Sequence, residues 1–202
     1  MKDVAAILLA AGRSRRMGAF KPLLPFGEKT VIESCLDALQ EAGVSELVVV
    51  VGHRQDEIRR RLSHREVTFA VNHESESEMG VSIARGVEQI RERAGGLLIA
   101  LVDHPAVPAE TIRSIIDCWR SGHRLVQPEH QGRGGHPVLI DLSYRDELLN
   151  LDPAGGLRSF FSAHRPEVKR LPVNSPCVAT DMDTWEDYVR LHEEVFRRPP
   201  KT

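Results

Sequence analysis

The chain has 202 residues, 41% of them hydrophobic, and a formal net charge of −2. One globular domain with a well-buried core is expected, and the near-neutral balance excludes a general attraction to nucleic acid or to a membrane surface. Cys35, Cys118 and Cys177 form no C-x-x-C pair, the nine histidines include no i, i+4 pair, and no apolar run is long enough to span a bilayer; reduced thiols, a cytoplasmic setting and no zinc helix follow as expectations.

The first predicted strand, Val4 to Ala11, is a continuous apolar run of the kind buried on both faces. Lys2 and Asp3 before it carry no net side-chain charge, and an Arg cluster follows it directly, so it does not read as a signal peptide. Gly12 ends the run. Four cations then fall within nine residues: Arg13, Arg15, Arg16 and Lys21. A strand that stops at glycine and enters a basic loop can hold phosphates. Glycine lets successive N–H groups turn inward, and the cations neutralise what sits there. Arg16 has the planar fork that grips two phosphate oxygens, whereas Arg15 reads as a solvated charge. The dinucleotide fingerprint is absent, and so is the Walker pattern, since no Ser or Thr follows Lys21.

Thr30 and Glu33 predict a capping box for a helix ending near Gly43, with Ile32, Leu36 and Leu39 on its inner face. Leu47 to Val51 is a second buried strand that stops at Gly52, followed by a charged helix from about Gln55 to Leu62. Val67 to Val71 is a third strand. A polar, acidic loop from Asn72 to Gly80 leads into a helix carrying Ile83, Val87 and Ile90 on one face. Leu97 to Val102 is a fourth strand, ending at Asp103. Pro108 predicts position N1 of a helix that runs to about Ser121. This alternation over roughly 120 residues calls for a parallel, doubly wound sheet, whose ligands bind beyond the carboxyl ends of the strands. Gly12, Gly52, Asn72 and Asp103 all follow such ends and are expected to converge.

Further on, Leu125 to Gln127 and Val138 to Ile140 predict strands joined by a glycine-rich loop, Gln131 to Gly135. Helices follow near Tyr144 to Leu149 and Leu157 to His164, then a strand at Val168 to Leu171. Thr184 caps a last helix, Trp185 to Phe196, before a Pro-rich frayed tail. Two acidic features stand out. Asp103 closes a buried strand, where an acid costs solvation unless a cation meets it; Mg²⁺ is a natural partner, and a turn cap is the plainer alternative. Asp181 and Asp183 alternate along an extended segment, so both carboxylates can serve one site; the alternative is that Asp183 only opens the last helix.

The string Leu9, Ala10, Ala11, Gly12, Ser14, Arg16, Met17, Gly18, Lys21, Leu23, Leu24 and Pro25 resembles the signature L-A-(A/G)-G-x-S-x-R-M-G-x-x-K-x-L-L-P of the MobA-like nucleotidyltransferases. The resemblance implies an α/β fold: a doubly wound, mostly parallel, Rossmann-like sheet of the nucleotide-diphospho-sugar transferase type, with helices in layers on both faces. Residues 1–202 then form a single domain, with a nucleotide-binding half (1–122), an acceptor-binding half (123–198) and a tail (199–202).

It also implies roles. Leu9, Ala10, Ala11, Gly12, Arg13 and Ser14 would cradle a triphosphate, with Arg16 and Lys21 on the leaving pyrophosphate. Asn72, Gly80 and Ser82 resemble a string that lines the nucleotide pocket. Asp103 resembles the Mg²⁺-binding Asp of a G-D-x-P string, with Val102 where Gly is usual. Asp181 and Asp183 resemble a D-(I/V)-D-T-P-E-D segment, with Trp185 in place of Pro; Asp183 is the favoured second Mg²⁺ ligand and Asp181 the alternative. Gly135 and His136 match a G-x-x-G-H-P-V string on the acceptor side, although a lone histidine is more often structural. Gly155 and Arg158 are weaker acceptor candidates.

Leu9-Ala10-Ala11-Gly12 resembles the cytidylyltransferase branch more than the Ala-Gly-Gly of the guanylyl branch. The implied reaction moves CMP from CTP onto a phosphorylated acceptor such as molybdopterin, with a molybdoenzyme as a possible recipient of the product. GTP, a sugar-phosphate acceptor, and a non-catalytic nucleotide-binding protein assisting molybdoenzyme maturation remain open beside it.

Overall fold

The computed structural model describes residues 3–14, 16–74, 78–91, 93–152 and 155–200. Lys2, Arg15, residues 75–77 of the acidic loop, Pro153, Ala154 and the end of the tail lie outside them. An eight-stranded sheet is built from β1 (Asp3–Leu9), β4 (Glu46–Val51), β5 (Thr68–Val71), β6 (Ala94–Leu101), β7 (Leu125–His130), β8 (Arg133–Gly134), β9 (Val138–Asp141) and β10 (Val168–Pro172), while β2 (Pro25–Phe26) and β3 (Lys29–Thr30) form a separate small hairpin. The order across the sheet is β10-β7-β9-β6-β1-β4-β5, with β8 paired on β7. β9 runs antiparallel to both β6 and β7, and the other strands of that path pair in parallel. β1 lies at the centre, in register with β4 on one side and β6 on the other.

Strands flanked on both sides must be apolar at every position. Alternate residues of β1 therefore feed two different cores. Ala6 and Leu8 meet Leu36 and Leu39 of α1 (Val31–Glu41), Ile58 of α2 (Gln55–Arg61) and Ile115 of α4 (Ala109–Arg120). Ala5 and Ile7 meet Ile83 and Val87 of α3 (Met79–Gln89), Leu148 of α5 (Arg145–Leu149) and Phe160 of α6 (Gly156–Ala163). Ile7 and Leu8 are fully buried, and each such side chain contributes roughly 1.5–3 kcal/mol of burial. A third apolar group, with Met17, Phe26, Val31 and Met182, seats Tyr188 and Leu191 of α7 (Trp185–Phe196) beside the loop that follows β1. Among the described residues no helix is long and apolar enough to cross a membrane.

The doubly wound fold is as expected, and the differences are local. β1 stops at Leu9, two residues before the apolar run does, so Ala11 and Gly12 leave the sheet. Pro108 is the N-cap of α4, in extended conformation, rather than its first helical residue. β7 extends to His130, and the expected glycine-rich loop folds back as β8 through a two-residue turn. Gln131 and Gly132 both take positive φ there, as the tight hairpin turn requires.

Candidate functional site

β1, β4, β5 and β6 run the same way and end at Leu9, Val51, Val71 and Leu101. The chain leaving each one walls a cleft of about 600 Å³: Ala11 and Gly12, then Gly52 and His53, then Asn72 and His73, then Val102 and Asp103. This is the carboxyl edge where α/β sheets hold ligands. Ladder-like bonds continue past the strands. The Ala10 amide donates to the Val50 carbonyl (2.9 Å), that of Asn72 to Val51 (2.8 Å) and that of Val102 to Leu9 (3.2 Å). Gly52 sits so tightly between the flanking loops that a Cβ would lie 3.1 Å from the carbonyl oxygens of both Ala11 and Asn72. The Asn72 side chain donates to Ser82 Oγ (2.8 Å), tying this rim to the first turns of α3.

The basic loop curls back over the cleft. Ser14 takes a left-handed conformation (φ 52°), and its Oγ accepts the Lys21 amide at 3.1 Å. Lys21 is buried; its Nζ lies 2.8 Å from Asp183 Oδ1, and Arg16 Nη1 lies 2.7 Å from Asp183 Oδ2. Asp183 is available for this because Thr184 caps α7, closing a box with Asp187. The Met182 amide donates to the Asp103 carbonyl (3.1 Å), bringing the two acidic strings side by side.

Asp103 Oδ1 is buried and accepts no hydrogen bond. Burial first, then the charges of Asp181 and Asp183, push its carboxyl above the usual range, against His104 and Lys21. A carboxylate oxygen so placed fits a divalent cation. Among the described residues no three His, Cys, Asp or Glu side chains gather as a metal cage. An ion here would draw its other ligands from phosphates and water, which is the habit of Mg²⁺.

His104 is buried beside Asp103. Its Nδ1 faces the Cys177 carbonyl at 3.1 Å and so carries the proton. Nε2 makes a 3.1 Å ion-pair contact with Asp181 Oδ1, off the line of a good hydrogen bond, and stands farther, at 3.7 Å, from Asp103 Oδ1. Burial opposes the charged ring, but Asp181, Asp103 and the Cys177 carbonyl outweigh it and raise its pKa. The His136 ring is 5.7 Å away; burial, then the charge on His104, lowers its pKa to about 4. His136 in turn borders a second cleft, of about 1140 Å³, which Gly155, Arg158, Arg165 and Arg170 also line and which shares Met79 with the first.

Leu9, Ala11, Gly12, Ser14, Arg16, Lys21, Asn72, Ser82, Asp103 and Asp183 therefore meet in one cleft. Ala10 is buried in the core, Gly80 is buried in the first turn of α3, and Arg13 is exposed; none of the three lines the cleft. Asp181 does not line it either and turns to His104. Gly135 lies behind the second cleft, where its missing side chain lets β8 approach the 176–179 turn. A Cβ there would fall 2.1 Å from the Val178 carbonyl oxygen. Gly135→Ala should cost about 1–3 kcal/mol of stability in a denaturant titration; unchanged stability would mean that this backbone contact yields freely.

His53, Gln55, His73 and Glu74 line the first cleft unforeseen. The same rule that singled out Asp103, a residue just past a strand end, also reaches His53 and His73. Arg165 and Arg170 carried no sequence signal.

Comparison with known proteins bears on the family and the fold. Nicotine blue oxidoreductase from Paenarthrobacter nicotinovorans is 28% identical over 93% of this chain and 96% of that protein. The molybdenum cofactor cytidylyltransferase of Escherichia coli strain K12 is 23% identical over 96% and 97%. The crystal structure of Rv0371c from Mycobacterium tuberculosis H37Rv superimposes with a TM-score of 0.85 at 30% identity, covering 95% and 98% of the two chains, and a manganese complex of Rv0371C superimposes at 0.82 with 28% identity over the same shares. The model of the MobA-like NTP transferase domain matches residues 6–168, from within the central strand to the start of β10. The signature read in the basic loop thus extends through the sheet, and the chain belongs to the MobA-like NTP transferase family.

Proposed function

We propose that this chain is a Mg²⁺-dependent nucleotidyltransferase that moves CMP from CTP onto a phosphorylated acceptor of the molybdopterin kind and releases pyrophosphate. One observation carries this reading: Arg16, Lys21, Asp183 and Asp103, whose buried Oδ1 accepts no hydrogen bond, meet in one cleft at the carboxyl edge of the sheet. Phosphoryl chemistry asks mainly for in-line positioning and charge neutralisation. Gly12 offers backbone to the triphosphate. Lys21 and Arg16, now turned to Asp183, are the cations that would meet the leaving pyrophosphate. Asp103, with Asp183, would hold Mg²⁺, which supplies neutralisation of the phosphate charge when bound.

The second cleft, with Arg158, Arg165 and Arg170, suits an anionic acceptor. An acceptor phosphate is already ionised and needs no base. The E. coli relative, named a molybdenum cofactor cytidylyltransferase, supports an acceptor of that kind; a sugar phosphate would use the same arginines.

The deciding assay is Mg²⁺-dependent pyrophosphate release with CTP and a panel of phosphorylated acceptors. Release with one acceptor supports the reading. Tight CTP binding without release would point to a carrier. Turnover only in a redox assay would side with the relative named as an oxidoreductase.

Ala11 lines the cleft, and its methyl group should crowd a purine. CTP should exceed GTP in kcat/KM by at least about tenfold, roughly 1.4 kcal/mol; a preference for GTP would reverse the base assignment.

A further inference from the structure

The two acidic strings lie far apart in the chain, and a buried histidine stands where they meet. His104 Nδ1 is anchored on the Cys177 carbonyl at 3.1 Å, in the turn that precedes Asp181. Its Nε2 reaches forward to Asp181 Oδ1 at 3.1 Å and Asp103 Oδ1 at 3.7 Å. The His104 side chain is buried, packed on all sides. One backbone bond, from the Met182 amide to the Asp103 carbonyl, links the same two segments. Asp103 lies on one side of that bond, and Asp181 and Asp183 lie on the other.

We propose that His104 is a positioning residue: it holds the Asp181–Asp183 segment against the end of β6 and so sets Asp183 beside Asp103. Asp181 is then the handle that His104 grips, and Asp183 is the working carboxylate of the pair. This assignment explains why Asp181 turns from the first cleft although it stands two residues from Asp183. It rests on the metal-dependent reading of the cleft. Groups behind the ligands of a metal site act in this way, fixing orientation without touching the ion.

The two nitrogens of the ring can be tested apart. An asparagine amide reaches the position of Nδ1, so His104→Asn keeps the bond to Cys177 and loses the arm toward the carboxylates. A glutamine amide reaches the position of Nε2, so His104→Gln keeps that arm. Mn²⁺ binding, followed by electron paramagnetic resonance without substrate, is the readout, and thermal unfolding checks the fold. His104→Asn should weaken Mn²⁺ binding about tenfold or more, and His104→Gln less than about threefold. The side chain of Asp181 is 60% exposed, so Asp181→Asn should fold normally. It should weaken Mn²⁺ as His104→Asn does, and the double variant should be no worse than either.

Wild-type binding in His104→Asn, additive losses in the double variant, or a loss in His104→Gln as large as in His104→Asn would each overturn the proposal; the last would make His104 a ligand or a packing residue. A wild-type protein that binds no Mn²⁺ would sink the metal reading itself, and this inference with it. Normal wild-type binding with unaffected variants sinks the inference alone.

Discussion

Lys21→Ala is expected to lower turnover at least tenfold, about 1.4 kcal/mol of barrier, in a protein that still folds. Lys21 is buried at the cleft wall, and its ammonium is 2.8 Å from Asp183. A buried ammonium with one carboxylate partner is poised to exchange that partner for phosphate oxygens as the triphosphate enters. Its charge matters most where negative charge grows, on the leaving pyrophosphate, so the loss should fall on kcat more than on KM. Stability should change little. The bond from the Lys21 amide to Ser14 Oγ is main-chain and survives the substitution, and Arg16 remains on Asp183. Steady-state kinetics with CTP, beside a melting curve, separate the cases. Near-wild-type turnover in a folded variant would remove Lys21 from the chemistry.

Features set by neighbours in sequence were legible in advance. The Thr30–Glu33 capping box and the Thr184 cap were both read from local residues; the structure adds Asp187, three residues on, as the second half of the Thr184 box. The strands announced themselves because two-sided burial tolerates only apolar residues. Gly12, Gly52, Asn72 and Asp103 were expected together because each follows a strand end, and parallel strands must end on one edge. Features set by long-range partners were not legible. The antiparallel β9, inserted between β6 and β7, is chosen by pairing, which leaves no mark in its own four residues. Alternation alone put Asp181 and Asp183 on one face. Their environments part them, because His104 takes one and the basic loop takes the other. Arg165 and Arg170 reach the second cleft only because β10 pairs with β7 at the sheet edge.

Asp103→Asn should cut Mg²⁺-dependent turnover on the order of a hundredfold, about 2.7 kcal/mol of barrier, while thermal stability stays level or rises. The two halves of this expectation share one cause. Burial raises the Asp103 pKa above its value in the unfolded chain. For an acid, that means the folded state binds the proton more tightly. Stability from this group is therefore fully present below the unfolded pKa near 3.8 and is lost as pH rises through the higher folded value. At neutral pH the ionised carboxylate is a net cost that the fold carries, because burial outweighs the attraction of His104 and Lys21, and asparagine removes that cost. The unpartnered Oδ1 makes the same point in geometry, since no donor compensates its burial. A residue kept merely to cap the turn would behave in the opposite way. Its substitution would loosen the turn, lower the melting temperature and leave turnover intact. Melting curves of wild type and Asp103→Asn across pH 4–8, with Mg²⁺-dependent pyrophosphate release measured on the same samples, distinguish the two. If wild type gains stability relative to the variant as pH rises, the charge of Asp103 serves the fold, and its assignment to the metal should be abandoned.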